Sequence, residues 1–227
     1  MLTRPHPPAW LRGEVTRQGW LVLRRELAVE TAGREALVTV APFVGVLVLL
    51  GGLAFGPRPA VLAATAPGMT WLAVLVTAVP LAPGVAVAEA ADDAWDLLRA
   101  ITTPAALLAG KLAATWLRLA AAWALVTVLA AALFGATVPV SGLAAGPLGT
   151  LGLATLTVLL GTLLPSTARR PALLGLLLLP AGLPALVAGT ESATVGVPAA
   201  AWLALLAVFD LLALTVAWAV YPILLED

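Results

Sequence analysis

The chain has 227 residues, of which 62% are hydrophobic and 11% are charged, and its formal net charge is zero. A typical soluble domain has about 25% charged residues, so this composition excludes an ordinary soluble protein and indicates a polytopic membrane protein. Cysteine is absent and His6 is the single histidine, which excludes disulfides, thiolate catalysis and cysteine-ligated metal sites. We expect no nucleic-acid partner.

Six apolar stretches predict six transmembrane helices, because each is close to the ~20 residues that cross a hydrocarbon core. The predicted spans are residues 36–57, 67–88, 111–134, 148–164, 172–188 and 199–221. They form an all-α transmembrane domain over 36–222, between a cytoplasmic tail with an interfacial helix over 1–35 and a cytoplasmic C-terminus over 223–227. Pro80 and Pro83 predict a kink in the second span, and turn residues within 135–149 separate the third span from the fourth.

The positions of lysine and arginine predict the orientation in the membrane. Six arginines precede the first predicted span, whereas the three alternate connections contain only Arg58. We therefore expect both termini in the cytoplasm. Residues 14–34 mix arginines with Trp20 and several leucines, which indicates a helix lying in the headgroup layer, with an ordinary solvated tail as the alternative.

The stretch EAADDAWDLLR, Glu89 to Arg99, holds four of the twelve acidic residues. Steps of three, four and seven place the acids on one helical face: Glu89, Asp92, Asp93 and Asp96. The same spacing places the apolar residues on the opposite face: Ala91, Trp95 and Leu98. We predict an amphipathic cytoplasmic helix over about 89–103. Its acids either dock a cytoplasmic partner or form a solvated face with Trp95 as an interface anchor.

The chain has no motif of an enzyme. PAALLAGKL approaches the phosphate-binding pattern G-x-x-x-x-G-K-[ST], but Ala105 replaces the first glycine and Leu112 replaces the hydroxyl that would hold magnesium. If the protein is driven by ATP, a separate subunit must supply the nucleotide site.

Asp210 lies in the middle of the sixth predicted span, where a carboxylate is costly unless it is paired or faces water. Arg118, in the third span, is the candidate partner for an intramembrane polar pair. The functional interpretation is a proton or substrate site. The structural alternatives are a simple ion pair, or an aspartate tolerated against a partner subunit. Three glycines recur every seven residues in the fifth span, as expected where helices approach closely: Gly175, Gly182 and Gly189.

Four segments, in order and spacing, resemble the haem exporter protein B (cytochrome c maturation protein B) family. These are RRELAVE, the acidic helix with TTPAALLAGK, LGTLGLATL, and STARRPALLGLLLLPAGLPALVAG. The resemblance covers most of residues 24–189. The chain departs from the family pattern at Asp93 and Ala94, where Asp-Gly is usual, and it lacks a basic residue common just before the acids.

The resemblance implies an ABC-2-like exporter permease architecture in the cytoplasmic (inner) membrane. It implies an ABC ATPase partner, maturation protein A, together with haem-handling membrane protein C, small membrane protein D and haem chaperone protein E. The work implied is ATP-dependent release of the haem-loaded chaperone. By position, the coupling region would contain Glu89, Asp92, Asp93, Asp96 and Arg99, followed by Pro104 and Lys111.

We expect haem and ATP to be handled by partner subunits and no cofactor to be bound directly, since cysteine is absent and His6 lies in the tail. Three alternatives stay open: a permease of another ABC-2-type exporter, a proton-coupled secondary carrier that uses Asp210, and a passive scaffold. A homodimer is equally open, because small residues in spans do not determine the number of copies.

Overall fold

The computed structural model describes residues 16–27, 35–90, 103–163 and 171–224, which are almost entirely helical. Helix α1 covers residues 16–27. The seven helices that follow are α2 (Glu35–Phe55), α3 (Pro59–Ala90), α4 (Pro104–Phe134), α5 (Val140–Leu163), α6 (Pro171–Ala181), α7 (Leu183–Ala193) and α8 (Ala199–Leu224). The predicted all-α class is confirmed.

Four helices are long and apolar enough to cross a membrane: α3 over Pro59–Ala82, α4, α5 and α8. Helices α6 and α7 meet the same test together, but they are bent by 43° and form either a broken span or a re-entrant loop. In α2, the described apolar stretch Val44–Phe55 is too short to count as a membrane-spanning helix by itself. The described residues therefore support four or five spans, and the six predicted spans are not confirmed.

The helix that contains the third predicted span begins at Pro104, before the predicted start of the span near Lys111. Thr103 is the N-cap, and its side chain accepts a hydrogen bond from the backbone N–H of Ala106 at 3.3 Å. Proline in the first turn loses no helical hydrogen bond, because that N–H would have no partner. Lys111 lies two turns inside the helix and is only 1% exposed, so its charge does not mark the start of the helix.

The turn predicted over 135–149 is much shorter than its composition indicates. Gly135 ends α4 with a left-handed backbone (φ 63°), and α5 already begins at Val140. The glycines farther along lie within α5 at close helix contacts. A Cβ at Gly142 would lie 3.0 Å from the Cβ of Ala193, and one at Gly146 would collide with the Trp123 ring. Glycine here permits packing between helices and does not form a turn.

The prolines of the second and fifth predicted spans have different effects. Helix α3 begins at Pro59, before the predicted start of the second span at residue 67, and it remains helical through Pro80 and Pro83 to Ala90. The predicted fifth span, 172–188, is instead divided at Gly182, where α6 ends and α7 begins. Pro184 lacks the N–H that would continue the helical hydrogen bonds across this point, which is the physical reason for the break.

Helix α5 is the centre of the bundle and packs against α3, α4, α6, α7 and α8. The main core contains one large residue from each of five helices: Trp71, Leu119, Leu153, Leu178 and Leu206. The glycine series in the fifth predicted span lies at a close helix contact, as its spacing predicted, and the structure shows that the partner is α3. Cβ atoms placed at Gly175, Gly182 and Gly189 would meet Val79, Leu75 and Trp71, respectively.

Candidate functional site

Helix α1 lies against the first turns of α4. Val22 is buried with Leu107 and Leu108, and a Cβ at Gly110 would lie 2.6 Å from the Cβ of Val22. Because Gly110 has no side chain, the two helices approach closely. The same cluster includes Val158 in the last two turns of α5 and Tyr221 in the last turn of α8. Helix α1 therefore packs on the start of α4, within a buried cluster that also includes residues from the ends of α5 and α8.

A charged cluster at the C-terminal end of α1 strengthens this contact. Lys111 Nζ lies 3.9 Å from Glu26 Oε1, and Arg118 Nη2 donates to the backbone carbonyl of Glu26 at 3.0 Å. The last carbonyls of a helix have no partner within the helix, so a guanidinium there satisfies an otherwise unpaired acceptor. Lys111 and Arg118 lie on one face of α4, seven residues apart. We call Glu26, Lys111 and Arg118 the Glu26 clamp.

A third contact ties α1 to the residue that leads into α4. The backbone N–H of Thr103 donates to Gln18 Oε1 at 3.3 Å. Thr103 is the last residue of the segment in which the sequence predicts the acidic helix. The chain leaving that segment is therefore held both by the N-cap of α4 and by α1.

The predicted acidic helix lies mostly outside the described residues. The backbone of Glu89 belongs to the last turn of α3, and Thr103 is the N-cap of α4. The other predicted docking residues fall outside the described ranges: Asp92, Asp93, Trp95, Asp96, Leu98 and Arg99. The docking surface remains a prediction, but its place in the fold is defined, because it connects the C-terminal end of α3 to the N-terminal end of α4.

Asp210 lies on the buried face of α8, which repeats every three or four residues: Leu206, Asp210, Ala213, Ala217 and Tyr221. Its side chain is 4% exposed. A Cβ at Gly152 of α5 would collide with Asp210 Oδ1 and with the ring of Phe209. The carboxylate is therefore packed inside this chain against α5, and not on a surface available to a partner subunit.

The predicted pair between Arg118 and Asp210 is not formed. Arg118 is hydrogen-bonded to Glu26 of α1. Among the described residues, no side chain pairs with either carboxylate oxygen of Asp210, and Oδ1 lies against Gly152 of α5. Arg118 lies on the side of α4 that faces α1, whereas Asp210 faces α5. The sequence places both residues within spans but does not reveal how each helix is rotated.

The structure also contains a small cleft, with a cavity volume of about 30 Å³, that the sequence did not predict. It lies at the opposite end of α4 from α1, and its lining includes Thr70, Trp71, Trp123, Thr127 and Thr137. The Thr127 hydroxyl is buried without a hydrogen-bond partner among the described residues. Hydroxyl residues near the same end of α3 and α4 were the available signal, but threonine is common in membrane helices and the signal is weak.

The sequence profile of the CcmB protein family matches residues 17–224, from the first turn of α1 to the last residue of α8. The chain belongs to the CcmB family. No individual curated protein matches the chain. The family match includes α1, so the helix that carries Glu26 lies within the region that the family model describes.

Membership of the CcmB family has direct functional consequences. CcmB proteins are permease-type membrane components of the haem export and cytochrome c maturation system, and they are not themselves catalytic. The chain is accordingly a multi-pass membrane protein that belongs to a system with other subunits. The family predicted from four short segments is confirmed.

Proposed function

We propose that this CcmB protein is the permease subunit through which a separate ATPase drives haem delivery or release of a haem-loaded chaperone. The observation that carries the proposal is the joint between α1 and α4. The acidic segment enters α4 at Thr103, and Gln18, Val22 and Glu26 attach the first half of α4 to α1. A force applied to the acidic segment by a docked ATPase would therefore move α1 and α4 together.

The proposal includes the partners and the topology. The ATPase is maturation protein A, and the other partners are membrane proteins C and D and haem chaperone E. The chain lies in the cytoplasmic membrane with both termini in the cytoplasm. It has six spans, with the 21-residue helix α2 as the first and the broken pair α6–α7 as the fifth.

Haem and ATP are proposed to be held by the partner subunits. The sequence has no complete phosphate-binding loop, and its single histidine is His6. Met69 packs against Gly51, and Tyr221 is buried in the cluster that contains Val22, Leu107 and Val158. These contacts support the proposal, because both side chains are engaged in packing and are poor candidates for an axial ligand of haem iron.

Reversing the charge of the acidic face tests the docking role. The double variant Asp92→Lys/Asp96→Lys should weaken binding of the ATPase by about 30-fold or more, the size of effect that follows loss of close interfacial charge pairs. The measurement is co-purification of the ATPase with the tagged membrane subunit, together with the yield of mature cytochrome c.

Glu191→Lys is the matched control, because it reverses an acid at the end of α7, away from the proposed docking face. It should leave ATPase binding unchanged. If the 92/96 variant binds the ATPase as well as the control does, the acids do not dock the partner and serve to keep the segment in water.

One observation favours a second candidate function, a proton-coupled carrier: the buried Asp210 carboxylate, with which no side chain pairs among the described residues. We expect Asp210→Asn to retain cytochrome c maturation close to the wild-type level. The amide has nearly the same shape, and the carboxylate makes no ion pair with Arg118 that would be lost. The measurement is the yield of mature cytochrome c in cells expressing the variant.

Gly152→Leu places a large side chain where it would collide with Asp210 and Phe209. It therefore tests whether the close packing around Asp210 is needed for folding. This variant should lower the amount of folded protein. A fall in maturation of about 100-fold for Asp210→Asn, with normal protein levels, would instead support a proton-transfer role.

A further inference from the structure

The outward face of α1 has an unusual composition. Arg17, Trp20, Leu21 and Arg24 are all exposed and follow the spacing of a single helical face. Trp20 is 59% exposed and Leu21 is 56% exposed, and an arginine lies on each side of this apolar pair. On the opposite face, Val22 is only 4% exposed because it packs against α4. The orientation of α1 thus exposes its largest apolar residues.

The contacts of α1 define its depth relative to the membrane. Helix α4 has 31 residues and is about 46 Å long, which exceeds the ~30 Å hydrocarbon core by roughly ten residues. Helix α1 packs on the first turns of α4 through Val22, and the buried cluster that contains Val22 also contains residues from the last two turns of α5 and the last turn of α8. Because these helix ends meet in one cluster with α1, we place α1 at the boundary between hydrocarbon and water. Tryptophan and arginine are enriched at that depth.

The charges of α1 favour an anionic partner. Within residues 16–27 there are three arginines, Arg17, Arg24 and Arg25, and a single acid, Glu26. The acid is directed at Lys111 on α4, so it does not offset the two arginines of the outward face. Guanidinium groups form strong hydrogen bonds with phosphate oxygens, often two at a time.

We propose that the outward face of α1 binds anionic phospholipid headgroups of the cytoplasmic leaflet. Trp20 and Leu21 insert below the phosphates, and the Arg17 and Arg24 guanidiniums pair with them. The Glu26 clamp and the Val22–Gly110 contact fix the rotation of α1 about its own axis, so that Trp20 and Leu21 face away from α4. The inference is independent of the proposed ATPase coupling, because it depends on α1 and the membrane alone.

The absence of cysteine from the chain makes a site-specific test straightforward. Leu21→Cys is labelled with an environment-sensitive fluorophore, and the purified full-length protein is titrated in detergent with phosphatidylglycerol. We expect a saturable rise in emission with phosphatidylglycerol, and none with phosphatidylcholine or inorganic phosphate. Each arginine near an anionic surface contributes about five-fold in affinity, so Arg17→Gln/Arg24→Gln should shift the midpoint by about 25-fold.

Arg58→Gln is the matched control, because Arg58 is exposed in the connection between α2 and α3, away from α1. In the labelled background it should leave the midpoint unchanged. The proposal is overturned if phosphatidylcholine gives the same response, or if the double glutamine variant keeps the wild-type midpoint. It is also overturned if the label stays open to iodide quenching in phosphatidylglycerol nanodiscs, which would assign this face to water or to a protein partner.

Discussion

Gly149→Ala and Gly189→Ala are each expected to destabilise the folded protein by about 1–3 kcal/mol, the usual cost of adding a group to a close-packed core. Both glycines contact the indole of Trp71, which is 1% exposed. A Cβ at Gly149 would lie 2.7 Å from Trp71 Cζ3, and a Cβ at Gly189 would lie 2.5 Å from Cδ2. These are atoms of a rigid ring, so relief requires the whole indole or a helix to move.

The two substitutions should reinforce one another. Gly149 lies on α5 and Gly189 on α7, and the Trp71 ring has no alternative position if both add a methyl group. The double variant should therefore lose more stability than the sum of the single variants, since contacting residues are not energetically independent. The measurement is the thermal unfolding midpoint of the purified protein in detergent, followed by tryptophan fluorescence.

Gly68→Ala is the control, because it makes the same chemical change on α3, where the nearest atom is the Thr190 methyl carbon at an ordinary 3.8 Å. It should be nearly neutral. In a Trp71→Ala background, which itself costs about 3–5 kcal/mol, Gly189→Ala should also become nearly neutral. If Gly149→Ala and Gly189→Ala lower the unfolding midpoint no more than Gly68→Ala does, Trp71 is not packed tightly between α5 and α7.

Lys111→Glu is expected to reduce cytochrome c maturation severely, because it places a second carboxylate beside Glu26 in a buried site. Loss of one partner from a buried pair costs about 3–5 kcal/mol, and reversal adds repulsion. Glu26→Lys in the same chain should restore part of the activity by re-forming the pair with exchanged charges. Restoration should be incomplete, since Lys111 also has an interaction outside this pair.

Two measurements separate stability from coupling in this experiment. The unfolding midpoint shows whether the exchanged pair restores the stability that the contact between α1 and α4 provides. The yield of mature cytochrome c shows whether the variant still performs its function in the complex. Arg58→Glu, a reversal of an exposed charge at the far end of the bundle, should affect neither. Wild-type maturation in Lys111→Glu, or no restoration by Glu26→Lys, would remove the role assigned to the Glu26 clamp.

Hydropathy predicted the helical class correctly, but it placed helix ends incorrectly where a residue has an atypical environment. Lys111 resembles a boundary residue because lysine is costly in hydrocarbon, yet the contact with Glu26 allows it to lie two turns inside α4. The glycines at 142, 146 and 149 resemble a turn because glycine is common in turns. In the structure they are the points at which α5 meets Ala193, Trp123 and Trp71.

The candidate site was predictable only in part, for a related reason. The spacing of Glu89, Asp92 and Asp96 within one helix predicts a shared face, because the helical period is known in advance. The partner of Arg118 was predicted wrongly, because no local pattern reveals that Arg118 faces α1 and not α8. The cleft near Trp123 was missed because its lining comes from four separate parts of the chain.

The sequence by itself determined that the chain is a helical membrane protein, that it has no catalytic motif of its own, and that it resembles the CcmB family to which it belongs. These properties follow from composition, local periodicity and short motifs. None of these features requires knowledge of which distant residues meet in the folded chain. The tertiary structure alone decided which helix faces meet: Trp71 between Gly149 and Gly189, Asp210 against Gly152, and α1 against α4. Such contacts depend on the rotation and close approach of distant helices, and close packing selects them only once the whole bundle has assembled.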